Sequence, residues 1–168
     1  MTKGTLHLLC GKAASGKSTL AATLVDQENG ILLAEDAFLA PLFGPEMKTL
    51  QDYVSASARL KEALRPLILQ MLAQGLTLVL DFPANTVGQR AWLRGLIEAS
   101  GCHHTLHYLD LSDQTCKARL RVRNQQGTHP FTLTDQQYDD LARYFVPPSP
   151  EEGFDIVPHH AVDDDPQP

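Results

Sequence analysis

Short apolar runs alternate with stretches in which apolar side chains recur every three or four residues, from one end of the chain to the other. The runs read as buried strands and the stretches as core-facing helices, so their alternation predicts an α/β fold with a mainly parallel sheet. Five strands are expected, over residues 5–10, 30–34, 76–82, 104–109 and 154–157. The third, L-T-L-V-L, is the most continuously apolar and suits a central strand covered on both faces. Helices are expected over 18–27, 57–74, 87–100, 113–124 and roughly 134–144. In the second of these, Leu60, Leu64, Leu67, Ile68 and Met71 share one face, and Pro66 predicts a kink or break near Arg65. Gly75 and Gly101 mark helix stops and Ser112 a helix cap.

Two stretches fall outside this alternation. Residues 37–56 mix Phe38, Phe43 and Tyr53 with Pro41, Gly44 and Pro45, and residues 125–133 read as a flexible connection. Both follow strand or helix ends where parallel sheets place their ligands. Residues 1–158 are expected to form one domain, and 159–168, with three consecutive aspartates, a disordered tail.

Composition narrows the class. The chain has 168 residues, a net charge of −6 and 20% charged residues, which argues against a surface built broadly for nucleic acid. Three widely spaced cysteines suggest neither a disulfide framework nor a zinc site. No apolar run reaches the length of a membrane span, and Lys12 and Lys17 interrupt any secretory leader, so a soluble cytoplasmic protein is expected. The pairs His103-His104 and His159-His160 read as surface histidines, because adjacent side chains on a strand point in opposite directions.

The chemistry is concentrated in residues 11–18, G-K-A-A-S-G-K-S, which fit G-x-x-x-x-G-K-[ST] at every fixed position. A strand is expected before the pattern and a helix after it, the context in which it forms a phosphate-binding loop. Gly11 and Gly16 let the backbone turn its N–H groups inward, and the helix opening at Lys17 adds the positive end of its dipole. The cradle comprises Gly11, Lys12, Ala13, Ala14, Ser15, Gly16, Lys17, Ser18 and Thr19. Lys17 is suited to the terminal phosphates of ATP and the Ser18 hydroxyl to a magnesium ion. Lys12 occupies a variable position, where a solvated charge is the simpler reading.

Other candidates lie after strands two and three and on the fourth helix. Asp36 follows the second strand on the same rim, either as a general base for an acceptor hydroxyl or as the cap of a short helix, with Glu35 as the alternative base. Asp81 ends the third strand, either holding magnesium or touching substrate, or capping the turn at Pro83. Asn85 and Arg90 are close enough in sequence to join that rim. Arg119 and Arg123, four apart, share a helix face from which Arg121 points away, and form either a clamp on the moving phosphoryl group or a solvated face. The segment after them is a candidate lid. An acceptor among residues 37–57 would meet Phe38, Phe43 and Tyr53, with Lys48 and then Arg59 as the nearby cations.

With these segments in place, the chain resembles the small P-loop kinases grouped as predicted ATP-binding kinases, whose relatives include polynucleotide 5′-kinases, zeta toxins, gluconate kinases and chloramphenicol phosphotransferases. The resemblance spans nearly the whole length and rests on G-K-A-A-S-G-K-S-T, E-D-A-F, L-V-L-D-F-P-A-N-T-V-G-Q-R, C-K-A-R-L-R-V-R-N and F-V-P-P-S-P-E-E-G-F-D-I-V. It implies an α/β three-layer sandwich of the P-loop NTPase kind, with a five-stranded parallel sheet of order 2-3-1-4-5 and a lid. It further implies Lys17 and Ser18 on nucleotide and magnesium, Asp36 as base, and Arg119 or Arg123 in the lid. The expectation is an ATP- and magnesium-dependent kinase for a hydroxyl of a small molecule or nucleotide-like metabolite. A polynucleotide 5′-hydroxyl kinase and a non-catalytic ATP switch are the alternatives.

Overall fold

The computed structural model describes residues 2–127 and 132–160. Along the chain run β1 (Thr5–Cys10), α1 (Lys17–Glu28), β2 (Ile31–Ala34), α2 (Glu35–Phe43), α3 (Leu50–Ala73), β3 (Thr77–Asp81), α4 (Val87–Ser100), β4 (His103–Asp110), α5 (Asp113–Gln126), α6 (Asp135–Ala142), a 3-10 turn (Pro150–Glu152) and β5 (Ile156–His160). The strands form one sheet of order β2-β3-β1-β4-β5, every neighbouring pair parallel. Leu8 stands between Leu80 and Leu106, and Leu80 opposite Leu33, which places β1 and its following loop at the middle of one rim.

Parity along the strands sorts the core into layers. Leu6, Leu8 and Cys10 on β1, with Leu78 and Leu80 on β3, pack with Leu60, Leu64, Ile68 and Leu72 of α3 and Leu93, Leu96 and Ile97 of α4. The intervening Leu9 and Val79 face the other way, onto Ala21 and Leu24 of α1. Leu109 and Leu111 pack with Cys116 and Leu120 of α5 and Tyr138 of α6. Helices thus cover both faces, as an all-parallel sheet requires.

Several expectations are corrected. Residues 37–56 are largely helical: α2 carries Pro41 within it, and α3 starts at Leu50, where Thr49 and Asp52 form a capping box. Pro66 does not break α3. The apolar face from Leu60 to Leu72 is buried on both sides of it, and that packing outweighs the roughly 3 kcal/mol an interior proline costs. β5 is displaced toward the C-terminus, so that Pro158, His159 and His160 pair with Tyr108, Leu109 and Asp110 instead of opening a tail. Residues 161–168 lie outside the described part of the chain.

His159 is also not a lone surface histidine. His7 Nδ1 lies 3.0 Å from His107 Nε2, and His107 Nδ1 lies 2.9 Å from His159 Nε2, a ladder of three imidazoles across β1, β4 and β5. His104 Nε2 accepts the backbone N–H of Asp155 at 3.1 Å.

Candidate active site

The loop between β1 and α1 is shaped by its glycines. At Gly11 any side chain would collide with the Ser15 hydroxyl, and Gly16 has φ +100°, which L side chains rarely adopt. Gly16 is also the N-cap of α1 and provides no side-chain cap, which leaves the first N–H groups of that helix for an anion. Lys17 Nζ donates to the carbonyls of Gly11 at 2.6 Å and Lys12 at 2.9 Å, so its ammonium lies across the mouth of the loop. Burial lowers the Lys17 pKa, and the charge of Asp81 opposes that shift.

Asp81, at the end of β3, accepts a 2.9 Å hydrogen bond from Ser18 Oγ. The pair sets a hydroxyl and a carboxylate side by side at the loop. Among the described residues no cluster of three His, Cys, Asp or Glu could hold a metal. Magnesium does not need one, since it is commonly held by one or two protein oxygens together with phosphates, and two hard oxygen donors fit it.

Asp36 stands in the first turn of α2, whose N-cap is Ala34, so it is not the cap that one reading of the sequence expected. Arg123 of α5 is its electrostatic neighbour: burial lowers the guanidinium pKa and the Asp36 charge opposes that shift. The Arg123 charge also depresses the Lys17 pKa, which places Asp36, Arg123 and Lys17 within one electrostatic neighbourhood. Arg123 Nε is buried and has no hydrogen-bond partner among the described residues. Arg119, one turn earlier, donates to the Ser15 carbonyl at 3.4 Å. Ala118, Arg119, Val122, Arg123 and Gln126 line a groove of about 340 Å³. Arg121 lies away from it, paired with Asp135.

Other sequence candidates are used differently. Glu35 is buried and accepts the hydroxyls of Tyr53, at 2.6 Å, and Ser57, which makes it a link between α2 and α3. Tyr53 therefore turns its hydroxyl toward Glu35, and burial together with the Glu35 charge raises its pKa. Phe38 is half-buried against the main core. Arg59 is exposed, its guanidinium carbon 5.4 Å from the centre of the Phe43 ring. Asn85 Oδ1 accepts the Gly11 N–H at 3.0 Å, so its side chain holds the loop. Arg90 does not reach the rim: it is wholly buried and paired with Glu152. Lys12 pairs with Asp113 at 2.8 Å. Of the expected lid, residues 125 and 126 end α5, Gly127 caps it, and 128–131 lie outside the described residues.

The profile of a family described as an AAA domain matches residues 6–148. The chain belongs to this AAA-domain family. No curated protein matches it. Among solved structures, a candidate kinase from Chloroflexus aurantiacus has a TM-score of 0.75 at 19% identity, covering 100% of this chain and 91% of that one. Kti12 of Chaetomium thermophilum, in complex with ADP-AlF3, gives 0.71 at 15% identity, with 95% and 91% covered. The APS kinase of Mycobacterium tuberculosis, in complex with AMPPNP and APS, gives 0.62 at 18%, with 98% and 92% covered. At these identities the likeness concerns the fold, and this AAA-domain chain has the fold of the small P-loop kinases.

Proposed function

We propose that the chain is a kinase that moves the terminal phosphoryl group of ATP to a hydroxyl of a small molecule or nucleotide-like metabolite. The observation that supports this best is the electrostatic coupling of Arg123 to both Asp36 and Lys17, with Lys17 Nζ held at the carbonyls of Gly11 and Lys12 in the phosphate-binding loop. A nucleotide switch has no use for a carboxylate there, whereas transfer to a hydroxyl needs a proton acceptor beside the phosphate site.

In this reading the loop N–H groups and Lys17 hold the phosphates, and Ser18 and Asp81 hold magnesium. Magnesium, when bound, neutralises phosphate charge. Asp36 accepts the proton of the acceptor hydroxyl as its oxygen bonds to phosphorus and the bond to the ADP oxygen breaks. Arg119 and Arg123 offset the charge spread over the moving phosphoryl group, the part of such a reaction that positioned cations stabilise most. Arg123 is suited to this because its Nε, buried and without a partner among the described residues, is not committed elsewhere there.

The acceptor is assigned to the α2–α3 side, near Asp36. Phe38 and Phe43 supply apolar surface there, while the sequence from 37 to 58 contains one cation, Lys48. A polynucleotide would need several backbone contacts to cations. Residues up to His160, the end of β5, are taken as one catalytic domain, and the three unpaired cysteines suit a reducing cytoplasm.

The test is a labelled-ATP assay with magnesium, run on a fractionated metabolite extract and in parallel on 5′-hydroxyl oligonucleotides. Label transferred to a small compound supports the reading. Tight oligonucleotide binding at physiological salt with efficient end-labelling would reassign the enzyme to nucleic acid.

A further inference from the structure

Arg90 carries its charge on α4 with no exposed surface. A buried guanidinium is tolerated only with a counter-charge and acceptors for its N–H groups. Arg90 has both. Its Nε donates to Glu152 Oε2 at 2.7 Å, Nη1 to the carbonyls of Ala84 at 2.9 Å and Val146 at 2.8 Å, and Nη2 to that of Pro147 at 3.4 Å. One side chain thereby gathers α4, the turn after β3 and the segment before β5.

From there the contacts lead to the phosphate-binding loop. The Val146 N–H donates to the Asn85 carbonyl at 2.8 Å, and Asn85 Oδ1 accepts the Gly11 N–H at 3.0 Å. Gly11 opens the loop in a space too tight for any side chain, so the direction of its N–H fixes how the loop begins to bend. The same segment meets the loop a second time, where Lys12 Nζ lies 5.3 Å from the centre of the Phe145 ring.

We propose that the Arg90–Glu152 pair is a positioning element for the phosphate-binding loop, holding Ala84 and Val146 so that Asn85 presents its side-chain oxygen to the Gly11 N–H. Among the described residues neither Arg90 nor Glu152 bonds residues 11–18; the link runs through Asn85, beside which Arg90 also meets the Cys10 thiol that precedes Gly11. The inference rests on the nucleotide-binding reading of residues 11–18, and its test separates the two.

Glu152→Gln keeps the shape of the side chain and removes the charge that balances Arg90. Amide hydrogen exchange, followed by NMR on the whole chain, is expected to show the Gly11 amide opening about tenfold faster while the amides of Leu8 and Leu106 keep their protection. The dissociation constant for magnesium-ATP is expected to rise about tenfold. Asn85→Ala should reproduce both effects, and Asn85→Asp, which retains a side-chain oxygen, should restore protection at Gly11. If Glu152→Gln does not fold, Glu152→Asp keeps the charge at shorter reach and reads the same link.

Unchanged exchange at Gly11 in a folded Glu152 variant would overturn the proposal. So would loss of protection at all amides together, which marks a merely structural pair. Wild-type protein that binds no ATP would instead refute the functional reading, leaving the exchange at Gly11 to decide this one.

Discussion

Ser18 Oγ donates to Asp81 Oδ2 at 2.9 Å, although 63 residues separate them. The parallel pairing of β1 with β3 creates this contact. Leu8 sits opposite Leu80, so the chain leaves both strands at the same rim, and Asp81 ends beside the first turn of α1. Asp81→Ala is expected to raise the magnesium concentration needed for half-maximal nucleotide binding by about tenfold, since one of few protein oxygens is lost. A magnesium titration of nucleotide binding checks this, and an unshifted midpoint would remove Asp81 from the metal site. Chelation with EDTA should abolish turnover in the wild type.

Lys17→Ala is expected to weaken ATP binding at least ~100-fold while leaving the far-ultraviolet circular dichroism unchanged. Among the described residues its ammonium bonds the loop carbonyls of Gly11 and Lys12 alone, so its removal costs charge at the phosphate site and not core packing. Calorimetric titration with nucleotide reads the first effect. Equal affinity in both proteins would contradict the phosphate-site reading.

Tyr53→Phe separates structure from substrate contact. The Tyr53 hydroxyl satisfies the buried Glu35 carboxylate, and deleting it leaves that carboxylate to the Ser57 hydroxyl. A stability loss on the order of 1–3 kcal/mol is expected in denaturant unfolding. A variant as stable as wild type with a raised KM for the acceptor would return Tyr53 to the acceptor site.

The glycine-rich loop and the shared face of Arg119 and Arg123 were legible because each rests on local pattern or on spacing within one element, whereas the sheet order came only with the family resemblance. The start of α3 at Leu50 was missed, because the prolines and aromatics before residue 57 obscured the Thr49-x-x-Asp52 capping box. The roles of Arg90, Glu35 and Asn85 were not. Burial and pairing across long sequence separations decide whether a charged residue near a motif faces ligand or locks the scaffold. Arg90 meets Glu152 only because the segment before β5 folds back over α4. The His7–His107–His159 ladder was hidden for the same reason, since it depends on the register of three strands.

That ladder gives the fold a pH dependence. Burial lowers the His7 pKa, partly opposed by Glu28, and burial together with its two histidine neighbours pushes His107 down to about 4. The unfolded chain takes up these protons near pH 6.5, and the folded chain resists them. Stability should therefore be fully present above about pH 6.5 and fall as the pH drops from there toward 4, by on the order of 2–3 kcal/mol. Thermal unfolding across that range reads the fall, and NMR titration should leave the His107 ring resonances unmoved between about pH 7.5 and 5.5. An ordinary titration of His107 near 6.5 would contradict its being held neutral by burial.

The account turns on the proposal that Asp36 is the base, with Arg123 as its electrostatic neighbour. The most direct measurement is single-turnover phosphoryl transfer from labelled ATP to the identified acceptor by wild type and Asp36→Asn, with ATP affinity measured on the same preparations. Unchanged ATP affinity with transfer reduced by ~10²–10⁴-fold is the predicted result. Transfer at the wild-type rate by a variant that has lost only about 1 kcal/mol of stability would make Asp36 a helix-end residue and contradict the account.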